Sequence, residues 1–144
     1  IGFASAAGKA RIHSSGSTES GKLMFFHFLR QDAFMESMAE ACKAIIDFFK
    51  KENLAYVNVA NNLSVDCDCS SHPKEPEMKD IGIFASLDPV AIDQCCYDQI
   101  INSSDEGKAS LIKRMNSRHG IHVIEEAERL GLGSRNYELI DIDI

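Results

Sequence analysis

The sharpest chemistry in the sequence lies at Asp66-Cys67-Asp68-Cys69, followed by His72 in a stretch containing Pro73 and Pro76. Thiolate, carboxylate and imidazole all bind borderline or soft metal ions, and donors this close in sequence can meet at one ion if the loop curls. The expectation is a metal ion or an iron–sulfur contact with Cys67 and Cys69 as the principal thiolates and Asp66, Asp68 and His72 assisting. A single residue between the two cysteines is less specific than paired CxxC motifs, and the same residues also read as a loop of surface thiols beside turn-forming aspartates. No complete four-ligand set is visible.

A second set follows at Ser86, Asp88 and Asp93. Asp88 stands before Pro89, where its carboxylate would cap a helix, and Asp93 on the first turn would favour the helix dipole. If the strands leading into these two regions are parallel, the crevice outside their carboxyl ends would line Ser86, Asp88 and Asp93 opposite the Cys-Asp-Cys loop. Gly16 to Lys22 has the glycine and lysine spacing of a phosphate-cradling loop, but Leu23 stands where Ser or Thr must hold magnesium and the preceding Ala10–Ser14 makes a poor strand. Nucleotide binding there is not expected. Cys42, Cys95 and Cys96 fall on apolar helical stripes and read as small core hydrophobes. His119 and His122 flank Gly120, while His13 and His27 sit beside apolar residues; all four read as structural histidines. No Ser/His/Asp set can be assembled by spacing, and the carboxylates are spread over solvated helix faces, so neither hydrolase class gains support.

The elements that must position these residues follow from periodicity. From Asp32, a capping candidate, Phe34, Met38, Ala41, Cys42, Ile45 and Phe49 recur at helical spacing with charge on the other face, predicting a helix over Asp32–Phe49. Leu54–Val59 and Ile81–Ala85 are short β-branched and aromatic runs that predict inner strands. Asp88-Pro89 opens a helix carrying Ile92, Cys95, Cys96 and Ile100, which frays at Asn102-Ser103-Ser104. Lys108–Arg118 is a weaker amphipathic segment, Ile121–Leu130 a stronger one ending at Gly131, and Tyr137–Ile142 predicts a closing strand. Ser14–Lys22 is polar and small enough to predict a flexible loop or linker. Alternation of strand and helix predicts a single α/β domain over residues 1–144, with a small central sheet, at least some of it parallel, flanked by helices.

Composition sets the outer limits. The 144 residues suffice for one domain with a real core, and 44% apolar against 26% charged residues is globular composition without a bilayer-spanning run. A net charge of −7 repels phosphate backbones and anionic lipid, so neither nucleic acid nor membrane is an expected partner. Five cysteines, an odd count, and no signal-peptide pattern predict a reduced, cytoplasmic protein. The opening Ile1-Gly2-Phe3-Ala4-Ser5 carries no start signal, which predicts a piece of a longer protein.

Several stretches together resemble the domain-of-unknown-function 362 family, a group of iron–sulfur-associated prokaryotic proteins without an established activity. They are Ala4-Ser5-Ala6-Ala7-Gly8-Lys9 with His13, Met35–Glu40, Asp66–Cys69, Asp80–Ile83, Ser86–Gln94, and Gly131-Leu132-Gly133 before Tyr137-Glu138-Leu139, spanning nearly the whole chain. The resemblance implies a redox or metal setting. Many members of that family resemble ferredoxins in an insert ahead of the Met-Ala-Glu helix, and this chain departs there, since Ser14–Arg30 contains no cysteine. The insert's clusters are therefore not carried over. Family proteins also extend upstream, so a missing half would leave a strand edge or apolar face uncovered. That predicts homo-oligomerisation, a swapped arm from residues 1–30, or packing on the upstream segment. Two functional classes remain: a redox-associated, metal- or cluster-linked module with an electron-transfer partner, and a non-catalytic binding or scaffold domain.

Overall fold

The structure, a computed structural model, describes residues 2–15, 31–66 and 70–142. Its elements run α1 (Ala6–His13), α2 (Gln31–Phe49), a single 3-10 turn (Lys51–Asn53), β1 (Tyr56–Ala60), β2 (Gly82–Ser86), α3 (Pro89–Asn102), α4 (Lys108–Ser117) and α5 (Ile121–Arg129).

The predicted helix is present as α2, but the residues it buries are Met35, Ser37, Ala39 and Ile46, while Phe34, Met38, Ala41 and Ile45 of the expected stripe are half-buried and Cys42 and Phe49 exposed, because the face that meets the core is turned from the expected one. The helix begins at Gln31, so Asp32 sits inside its first turn. There Asp32 pairs with His119 across to the start of α5. Helices α2 and α5 pack side by side, α3 lies against both strands, and α1 folds back onto α2. Where these meet, Ile46, Val90, Ile124 and Leu132 form the buried core, with Leu54, Tyr97, Val123 and Ala127 around it. Burying four such side chains supplies roughly 1.5–3 kcal/mol each, the main force holding α2, α3 and α5 together.

Two caps fix the ends of the later helices. Asp88 Oδ1 accepts from the amides of Val90 at 2.9 Å and Ala91 at 3.0 Å, starting α3 with Pro89 in its first turn. Gly131, at φ 75°, stops α5 in the left-handed conformation a side chain disfavours, and the chain then drops Leu132 into the core.

The sheet differs from expectation. It has two strands, and they are antiparallel, with Tyr56 opposite Ser86, Asn58 opposite Phe84 and Ala60 opposite Gly82. The parallel arrangement is overturned because α2 precedes β1 and, among the described residues, no helix lies between β1 and β2, whereas parallel neighbours need a crossover. Neither strand is an inner one. Alternation sends Tyr56, Asn58 and Ala60 towards α3 and leaves Val57, Val59, Ile83 and Ala85 on an open face, with Val57 62%, Val59 55% and Ile83 72% exposed. Tyr137–Ile142 is not a strand: it runs without regular structure, and Leu139, Ile140 and Ile142 are exposed. Its alternation finds no neighbouring strand to pair with among the described residues, and a lone strand does not hold. The Ser14–Lys22 stretch, apart from Ser14 and Ser15, lies outside the described residues, as do the glycine-lysine spacing at Gly16–Lys22 and His27. No helix among the described residues is long and apolar enough to cross a membrane.

Candidate functional site

The residues on either side of the Cys-Asp-Cys segment are joined by hydrogen bonds. Asn62 N donates to Asp80 Oδ1 at 2.7 Å, Ser64 Oγ donates to the Lys74 carbonyl at 2.7 Å, and Lys74 N donates to Asp66 Oδ2 at 3.1 Å. From α4, Arg114 reaches the other oxygen of Asp66 at 3.0 Å, and the pair is partly buried. Asp66 thus ties together the two limbs of the loop and α4. Cys67, Asp68 and Cys69 lie outside the described residues. His72 is exposed on the returning limb, its Nδ1 3.0 Å from Ser71 Oγ.

The corner at Ser86 leaves from the other end of the hairpin. Because Ala60 pairs with Gly82 and Tyr56 with Ser86, the exit of β1 and the exit of β2 are four residue steps apart, about 14 Å along the strands. The single crevice in which Ser86 and Asp88 face the Cys-Asp-Cys loop required parallel strands, and the antiparallel register removes it. Ser86 Oγ accepts from Asp88 N at 2.9 Å, and Asp88 Oδ2 accepts from Ser134 N at 3.1 Å. Ser86 therefore closes the corner on itself, and Asp88 binds it to the segment after α5.

Asp93 faces a different space. It lines an apolar groove of about 550 Å³ between α2, β1, α3 and α5, together with Cys42, Tyr56, Met38 and Val90. Asn58 Nδ2 donates to Asp93 Oδ1 at 2.9 Å and approaches Cys96 Sγ at 3.5 Å. Crowding by protein atoms pushes up the pKa of Asp93, and the same desolvation raises the Cys42 and Cys96 thiols and the Tyr56 phenol. The Tyr56 hydroxyl is buried with no hydrogen-bond partner among the described residues. Of the three helical cysteines expected in the core, Cys95 is buried and Cys96 half-buried. Cys42 is exposed at the groove, because the α2 stripe that packs on α5 is centred on Ala39 and Ile46.

Sequence reasoning passed over one cluster. His119 Nδ1 lies 2.5 Å from Asp32 Oδ1, and His122 Nε2 lies 3.2 Å from Glu36 Oε1. One donor atom each from His119, His122 and Glu125 falls within 4.8 Å of the others. The signal that could have found it is His119-x-x-His122-x-x-Glu125, a spacing that stays on one helix face. It was obscured because His119 precedes α5, and because the carboxylates that complete it come from α2, more than eighty residues earlier.

No curated protein and no solved structure matches the chain. A family model described as a domain of unknown function, DUF362, matches residues 1–98, which takes in the Cys-Asp-Cys loop, both strands and most of α3. That match is shorter than the resemblance read along the sequence: the Gly131-Leu132-Gly133 and Tyr137-Glu138-Leu139 stretches lie beyond it. With more than half of its length matched, the chain belongs to the DUF362 family.

Proposed function

We propose that this domain is a redox-associated, metal-linked module whose Cys67 and Cys69 thiolates hold a metal ion or touch an iron–sulfur centre, with Asp66, Asp68 and His72 assisting. The observation that carries the reading is the closed base of the loop. Hydrogen bonds from Ser64 to Lys74 and from Lys74 to Asp66, braced by Arg114, bring residues 66 and 74 together, the closed ends that a curled loop would need. Curling is what lets donors adjacent in sequence reach one ion. The donor set of two thiolates, carboxylates and an imidazole fits a single borderline ion. It does not fit a cluster held by four cysteines of this chain alone, because Cys95 is buried and Cys42 and Cys96 lie on α2 and α3 by the groove. A cluster contact would draw its remaining ligands from another polypeptide, and an electron-transfer partner or a second copy of this chain suits that role. Thiols in a metal-linked role suit a reducing compartment, so the cytoplasm belongs to the same proposal.

Differential alkylation tests this reading. In the metal-free folded chain, peptide mass spectrometry should find Cys67 and Cys69 modified well before Cys95, which is only 5% exposed. The flanking aspartates oppose thiol ionisation, so that reaction should be slow at neutral pH and accelerate as pH rises. Zn²⁺ or Fe²⁺ should protect both cysteines. Modification of Cys67 and Cys69 at the same rate with and without metal would overturn the proposal.

A second reading, a binding or scaffold domain, is favoured by a separate observation. The open sheet face of Val57, Val59 and Ile83 is apolar, and among the described residues no further strand pairs with the outer edge of either strand. A second copy of the chain would cover it symmetrically.

A further inference from the structure

We propose that His119, His122 and Glu125 form a binding site for one divalent first-row cation of the Zn²⁺ type, at the seam between α5 and α2, with Asp32 and Glu36 orienting the two imidazoles. The site is separate from the Cys-Asp-Cys loop and contains no sulfur.

The donors are of the right kind and nearly in place. Two imidazoles and a carboxylate are a standard three-ligand set for zinc, leaving one coordination position for water. Metal–ligand bonds of about 2.0–2.1 Å in a tetrahedron put ligand atoms roughly 3.4 Å apart. His122 Nδ1 and Glu125 Oε2 are already 3.8 Å apart, and the three donor atoms lie within 4.8 Å of one another. Rotation of exposed side chains closes the difference: His119 and Glu125 are 50% and 42% exposed at the side chain. The other oxygen of Glu125 faces Arg135 NH1 at 3.4 Å, which leaves Oε2 turned to His122.

The carboxylates of α2 supply the second observation. A metal-bound histidine commonly gives its other ring N–H to a carboxylate, which fixes the tautomer and the ring plane. Both histidines have that arrangement. Asp32 holds Nδ1 of His119, so Nε2 is the nitrogen that would take the ion; Glu36 holds Nε2 of His122, so Nδ1 would take it. The two rings are neighbours, stacked at 5.0 Å with 12° between their planes, so one of them must turn for both in-plane lone pairs to meet at a single ion. The backbone presents His119 at this seam: with φ 49° it is the left-handed residue of the Schellman turn that ends α4, His119 N donating to the Asn116 carbonyl at 3.1 Å and Gly120 N to the Met115 carbonyl at 2.8 Å.

Two histidine–carboxylate pairs could also fasten α2 to α5 with no ion at all, and the experiment separates these cases. The probe is Co²⁺, added to chelator-treated full chain carrying Cys67→Ser and Cys69→Ser, and followed by visible absorption. The proposal expects one equivalent to bind at micromolar concentration, giving ligand-field bands without a sulfur-to-cobalt charge-transfer band, and one equivalent of Zn²⁺ to displace it. Glu36→Gln should weaken Co²⁺ binding about 10–100-fold by releasing the His122 ring. His122→Gln should weaken it at least as much, with circular dichroism verifying the fold. Should that variant fail to fold, Glu125→Gln, at an exposed position, gives the same reading. The paramagnetic ion should also broaden the imidazole resonances of His119 and His122 ahead of those of His13 and His72. The proposal is overturned if the serine variant binds no equivalent of either metal at these concentrations, or if binding is indifferent to Glu125→Gln and His122→Gln. Because Cys67 and Cys69 are absent from the tested chain, failure here leaves the Cys-Asp-Cys reading standing, and failure of that reading leaves this one.

Discussion

Asp88 and Gly133 should behave as one energetic unit. The carboxylate of Asp88 caps α3 through Val90 N and Ala91 N and also accepts from Ser134 N at 3.1 Å, clamping the segment after α5 onto the start of α3. Replacing a capping Asp by Ala costs about 1 kcal/mol, and leaving the part-buried Ser134 amide without its acceptor costs about 1–2 kcal/mol more. Asp88→Ala should therefore destabilise by about 2–3 kcal/mol, lowering Tm by roughly 10 °C in a chain of this length. Gly133 packs so closely that an added Cβ would lie 1.8 Å from Asp88 Oδ1. Gly133→Ala must then push the carboxylate away and break the same three hydrogen bonds, at a similar cost of about 2–3 kcal/mol. With the side chain of residue 88 already truncated, the new methyl has room, so the double variant should be scarcely less stable than Asp88→Ala alone. A double-mutant cycle by urea denaturation should give a coupling of about 2 kcal/mol. Additive effects of the two substitutions, or a cost below about 0.5 kcal/mol for Asp88→Ala, would refute the reasoning.

Two further outcomes can be checked. Asp105 accepts from Lys79 N and Gly107 N, each at 2.9 Å, and these bonds hold its carboxyl below the usual carboxylate range. A depressed folded-state pKa stabilises above the unfolded value near 4 and is lost as pH falls through the folded one. Asp105→Asn should therefore lower stability at neutral pH and flatten the acid limb of a stability–pH curve below about pH 4; an acid limb identical to the parent's would count against the assignment. For the open sheet face, light scattering across a dilution series should show a concentration-dependent dimer that Val59→Lys abolishes, and a parent chain that stays monomeric at the highest concentration would remove the scaffold reading's support.

What could be read from the sequence was what is encoded locally. The extent of the α2 helix, the Asp88-Pro89 start of α3 and the Gly131 stop of α5 each depend on residues within a turn or two of the feature, and all three are found in place, although the face α2 buries is not the one expected. Strand direction is not a local property. The runs at Leu54–Val59 and Ile81–Ala85 were recognisable, yet nothing within either says which way it pairs, and the described residues between the two strands contain no helix that would have forced an answer. Cys42 shows the same limit at the scale of a helix face. Its spacing puts it on an apolar stripe, but which part of a broad stripe is covered depends on where α5 lands. The His119 cluster was hidden for the strongest version of this reason, since Asp32 and Glu36 come from the far side of the chain.

The core has a consequence for what the family boundary means. Of the four residues at its centre, Ile46 and Val90 lie within the matched residues 1–98, whereas Ile124 and Leu132 lie beyond them. Asp32 meets His119 and Asp88 meets Ser134 across the same divide. The matched stretch is thus a unit of descent without being a cooperative folding unit. During synthesis, α2 and the hairpin must wait with their apolar faces uncovered until α5 has left the ribosome, and contacts of such long sequence separation form slowly. The segment outside the family match closes the fold, so substitutions there should appear as losses of solubility and folding yield across the whole chain.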